Sequence, residues 1–126
     1  MKFASLLLLG LGLLVAQERD GNFSIRFEPT AVLQTGAPIP FRITVNDSAH
    51  KPLADAKVTL QIEMANHTHV KVFAAPALDA RADPGAYIAK PVFEAAGEWS
   101  VYVEAHRQNG RSEEMSARTI SFTVPQ

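Results

Sequence analysis

The 126-residue chain contains no cysteine, which excludes a disulfide framework, a thiolate zinc site and a cysteine nucleophile. It has no excess of either charge: 12 Lys and Arg stand against 13 Asp and Glu. That balance excludes a polybasic nucleic-acid grip or an acidic tail as the main theme. Enzyme signatures are missing too, with no Gly-x-Ser-x-Gly elbow, Gly-rich phosphate loop, His-Glu-x-x-His or cofactor fingerprint. No catalytic residue is assigned, and an enzyme is not expected. What is present, 47% hydrophobic and 20% charged residues, is the composition of an ordinary globular chain.

The first 16 residues read differently from the rest. Met1-Lys2 is a short positive start, Leu6 to Ala16 is an apolar run, and Gln17-Glu18-Arg19-Asp20 turns abruptly polar. Even Phe3 to Ala16 as a helix reaches only about 21 Å, short of a ~30 Å hydrocarbon core. The pattern predicts a signal peptide over residues 1–16, cut after Ala16, and a periplasmic or secreted product. No second apolar stretch of spanning length follows, so no membrane span is expected in the mature chain. Setting aside 16 of the 126 residues leaves 110, one domain over 17–126. An exported, cysteine-free domain of this size fits a bacterial setting better than an animal secretory one. Three Asn-x-Ser/Thr triplets, at Asn22, Asn46 and Asn66, matter only in a eukaryotic secretory pathway.

Beyond residue 20 the hydrophobic period is 2. Phe41, Ile43 and Val45 alternate with polar residues, as do Val58, Leu60, Ile62 and Met64. Trp99, Val101, Val103 and Ala105 form a third series, and Ile120, Phe122 and Val124 a fourth. Each predicts a strand with one buried and one wet face. Phe23 to Phe27, His69 to Ala74 and Ala86 to Lys90 bring the number to seven. Turn residues fall between them: Gly36-Ala37-Pro38, Asn46-Asp47-Ser48, Asp83-Pro84-Gly85, Gly97 and Asn109-Gly110. Glu113 to Ala117 is expected to form a single helical turn at most. The expectation is an all-β, immunoglobulin-like two-sheet Greek-key sandwich of about seven strands, with Trp99 as core anchor.

One segment carries chemistry: Met64-Ala65-Asn66-His67-Thr68-His69. His67 and His69 are two apart, so an extended chain projects both imidazoles from one face. With the Met64 thioether they form a set suited to copper. Met64 joins only if the strand bulges between it and His67. The competing reading makes Met64 core packing and the histidines polar surface. His50 and His106 are expected at the other end of the sandwich, apart from this cluster.

From about Gly36 onward the chain resembles the YtkA-like domain family, small exported bacterial β-sandwich domains related to the FixH group. The matching features are Pro52-Leu53-Ala54-Asp55-Ala56-Lys57-Val58, Met64, Pro84-Gly85-Ala86-Tyr87, and Phe93-x-x-x-Gly97-x-Trp99. The resemblance implies an exported immunoglobulin-like accessory module associated with copper handling or oxidase assembly. Its implied partners are a copper ion or a membrane-bound oxidase or transport protein. The alternative is a structural or protein-interaction module without metal.

Overall fold

The computed structural model describes residues 16–19, 23–65, 69–77 and 83–126. Among them there is no helix, and none is long and apolar enough to cross a membrane. The strands are β1 (Ala16–Arg19), β2 (Phe23–Pro29), β3 (Phe41–Asp47), β4 (Lys57–Glu63) and β5 (Val70–Phe73). They continue with β6 (Ala75–Pro76), β7 (Ala86–Ala89), β8 (Gly97–Asn109) and β9 (Ser112–Val124). One sheet runs β1-β9-β8-β4-β5 and the other β2-β3-β7-β6, every neighbouring pair antiparallel. The β3–β4 and β7–β8 connections cross between the sheets, which makes the chain an immunoglobulin-like Greek-key sandwich.

The alternation read from sequence is the alternation of burial. In β2, β3, β4 and β8 every second side chain is buried, and these rows face one another across the sandwich. Between them lies an aromatic seam. Phe41 of one sheet meets Phe122 of the other edge-on at 5.6 Å. Phe93, from the β7–β8 connection, packs against Phe41 at 6.2 Å and edge-on against Trp99 at 5.3 Å. The Trp99 indole N–H donates to the Ala95 carbonyl at 2.9 Å, so its one polar atom is satisfied inside the core.

The β3–β4 connection is pinned by two residues of the β7 side. The Tyr87 hydroxyl on β7 donates to the Leu53 carbonyl at 2.6 Å and accepts from the Ala56 amide at 3.0 Å. Burial pushes the Tyr87 phenol above its ordinary value. Gly85, with φ +80°, sits directly beneath the same β3–β4 connection. A Cβ there would lie 2.7 Å from Pro52 Cβ and 2.9 Å from the Val45 carbonyl oxygen. The Pro-Leu and Pro-Gly-x-Tyr stretches are therefore two halves of one packed corner.

The strands expected from sequence are all present, with two additions and one correction. β1 and the two-residue β6 were not anticipated. Glu113 to Ala117 is not a helical turn but the first half of β9, a 13-residue strand paired along its whole length with β8. Its period-2 signal is hidden because the inward-facing positions are polar. Ser116 Oγ donates to the Phe23 carbonyl at 2.7 Å and Arg118 Nη1 to the Ile25 carbonyl at 3.0 Å, closing the free edge of β2. β1 begins at Ala16, the residue after which the leader is expected to be cut. Residues 1–15 lie outside the described residues.

Trp99 is 5% exposed and contacts both the seam and the β7–β8 connection. Trp99→Ala should cost about 3–5 kcal/mol of unfolding free energy. Urea titration followed by far-UV circular dichroism reads this, because the chain has only this one tryptophan. A loss below about 1 kcal/mol would show that the indole is not embedded.

Candidate functional site

The β4–β5 hairpin is where the sequence placed its metal-ligating cluster. Its last paired rung is Ile62 with Val70, and extending that register by one position sets His69 opposite Glu63. His69 is exposed on the tip. His67 and Asn66 lie outside the described residues. Met64 is half-buried and packs against the core cluster. A Cβ at Gly97 (φ +130°) would come within 2.8 Å of Met64 Cε, so the thioether methyl lies directly over that glycine. Among the described residues no group of three His, Cys, Asp or Glu side chains is arranged to hold a metal ion.

A second polar cluster occupies the outer face of the five-stranded sheet. Tyr102, Glu104 and His106 alternate along β8, so all three project to the same side. The Tyr102 hydroxyl donates to Glu104 Oε2 at 2.5 Å, and His106 Nε2 lies 2.9 Å from Glu104 Oε1. His106 Nδ1 faces Glu113 Oε2 at 3.4 Å across the β8–β9 hairpin. The carboxylates approach opposite nitrogens of one ring, so no single ion can take both together with that ring. The His106 and Tyr102 hydrogen bonds hold the Glu104 carboxyl below its ordinary value, helped by the charges of His106 and Lys71 and opposed by desolvation. The i, i+2 spacing of Glu104 and His106 on one strand was legible in the sequence, whereas Glu113 reaches His106 only through the β8–β9 pairing.

His50 lies in the β3–β4 connection. It is exposed, with φ 65°, in a loop whose geometry Asp47 sets. Asp47 Oδ1 accepts from the Ala49 and Lys51 amides at 2.8 and 2.9 Å. The Lys51 amide bond leads in lowering the Asp47 carboxyl below its ordinary value.

The remaining feature is apolar. Of the seven phenylalanines in the chain, Phe23, Phe27, Phe41 and Phe93 are buried, but Phe73 on β5 is 72% exposed. β5 ends the five-stranded sheet and β6 ends the other, and Ala74 carries the chain from one to the other, its amide bonded to the Val58 carbonyl. Along this margin runs a groove of about 420 Å³ lined by Val72, Phe73, Ala75, Pro76, Ile88 and Lys90. Val70, 41% exposed, extends the apolar strip.

The model of a family described as YtkA-like matches residues 16–104, most of the chain. The protein belongs to the YtkA-like family. No curated protein and no solved structure matches it. In this YtkA-like chain the motif residues have packing roles: Gly85 and Tyr87 build the corner, Phe93 and Trp99 build the seam, and Gly97 receives Met64. The match stops at Glu104, so His106, Glu113 and the whole of β9 lie beyond it.

The depressed Glu104 carboxyl makes stability depend on pH. Its contribution is present above the ordinary glutamate value and is lost as pH falls through the lower folded value. Melting curves of wild type and Glu104→Gln should therefore differ near neutrality and converge on acidification below about pH 4. A difference that holds constant from neutrality well past the ordinary glutamate value, to about pH 3, would contradict the linkage.

Proposed function

We propose that this YtkA-like β-sandwich is an exported, non-catalytic accessory module that acts by docking a partner protein along the β5–β6 margin. Export rests on the charged start, short apolar run and polar break of residues 1–20. Docking rests on Phe73, an aromatic side chain left in solvent beside two open strand edges and an apolar groove. Exposed strips of this kind on a small domain are where partners bind. The occupant is an extended segment of the partner that adds a strand to β5 and places an apolar side chain over Phe73. Lys71 on β5 and Lys90 in the groove lining select a segment that also carries an acidic residue. Lys71 and Pro76 blunt these edges against indiscriminate pairing. A membrane-bound oxidase or transport protein is the partner that the family resemblance suggests.

Photo-crosslinking from a benzophenone side chain at position 73 in the full chain, in native membranes, tests this reading. One partner should be captured from position 73 and none from Arg111 in the β8–β9 turn. Capture should fall when Lys90→Glu is added, and Phe73→Asp should abolish binding while shifting stability by no more than about 0.5 kcal/mol. Equal capture from both positions, or binding indifferent to these changes, would discard the docking surface.

A second reading, copper capture by His67 and His69 with Met64 as a conditional third ligand, is favoured by the exposure of His69 on the hairpin tip beyond Met64. A two- or three-ligand exposed site suits exchange of the ion, not catalysis. Calorimetric titration with Cu(II), and with Cu(I) under reductant, should show one site that a His67→Ala/His69→Ala variant loses. Equal binding by wild type and variant removes this reading.

A further inference from the structure

On the β2 side of the sandwich the structure forms a groove of about 420 Å³ whose walls carry three guanidinium groups. We propose that this groove binds a small organic anion through an oxyanion group, a carboxylate or phosphate, gripped by Arg26. Arg26 and Thr44 are directly paired across β2 and β3 on the outer face of the four-stranded sheet, and Glu28 and Arg42 form the next pair along that face. Arg118 reaches the same groove from β9, its Nη1 fixed by the bond to the Ile25 carbonyl. Residues far apart in the chain thus bring three positive charges into one concavity of a protein whose net charge is −1.

The three guanidiniums are not equivalent. Arg42 is in an ion pair with Asp83. Arg118 is committed to the edge of β2 and supplies orientation and positive potential. Arg26 is exposed and has no ion-pair partner among the described residues, so its fork of donors is available. A guanidinium fork matches two oxygens of a carboxylate or phosphate in one plane. Glu28 in the lining and Asp83 beside Arg42 offset two of the three charges, which leaves room for one anionic group and disfavours a polyanion. Thr44 adds a hydroxyl to the wall, while Phe27 and Ile120 supply apolar surface. The volume falls in the range of organic-ligand sites and exceeds what a bare inorganic ion fills. Arg118 and Ile120, from β9, lie outside the residues that match the family, while the other six lining residues, from β2 and β3, lie within them.

Calorimetric titration of the full chain at low salt with benzoate, glycerol 3-phosphate and inorganic phosphate tests the site. Saturable binding of at least one organic anion is expected, weakening as salt rises. Arg26→Gln should weaken it about tenfold or more, with a melting curve like that of wild type, and Arg111→Gln should leave it unchanged. Absence of saturable binding by both organic anions would overturn the proposal. So would an affinity unaltered in Arg26→Gln, or a matching loss in Arg111→Gln, which would mark diffuse charge attraction. Neither crosslinking at Phe73 nor copper titration bears on this groove, so its failure leaves those readings standing.

Discussion

The contact between Phe41 and Phe122, edge-on at 5.6 Å across the two sheets, is the constraint on which the rest of the molecule depends. Without cysteine, no disulfide ties one sheet to the other. Cohesion comes from the seam that runs from this pair through Phe93 to Trp99, with Phe27 closing its other end. Each such ring pair contributes about 0.5–1.5 kcal/mol beyond the area it buries. The seam also determines where glycine and methionine sit. Phe93 must fold back onto Trp99 within a short connection. Gly97, at φ +130°, makes that reversal, and Met64 covers the space a side chain would have taken.

Much of this was legible in the chain. Alternating Phe, Ile, Val and Leu positions specify inward rows because a strand's side chains alternate strictly, and the buried rows of β2, β3, β4 and β8 follow them residue by residue. The first half of β9 was not legible, since Ser116 and Arg118 face inward to satisfy carbonyls of β2. A pattern that equates inward with apolar cannot see a strand whose task is to cap another strand's edge. β6 escaped for a different reason: two residues, one of them proline, carry no period.

The candidate surfaces were less legible than the fold because they are made by register and not by spacing. Met64 and His69 could be read as neighbours in sequence, and the hairpin does place them at one tip, with Met64 turned over Gly97 and His69 in solvent. Phe73 looked like one more apolar strand residue. Only the ending of both sheets at β5 and β6 shows that no described residue covers it. The Tyr102–Glu104–His106–Glu113 cluster depends on the exact pairing across the β8–β9 hairpin. The arginine groove depends on β9 passing beside β2, a juxtaposition of two sheets that no local motif announces.

A common logic links these features. The interior is filled by aromatic and β-branched groups, family motifs serve the corners and the seam, and what is left for recognition is displayed on margins and outer faces. Because the chain has one tryptophan and it lies at the end of the seam, its accessibility reports directly on whether the two sheets close as described. Acrylamide quenching of the native protein's fluorescence should be weak, rising to that of a free indole only through the cooperative unfolding transition. Quenching of the native protein as efficient as that of the unfolded chain would mean that Trp99 is in water and that no aromatic seam joins the sheets.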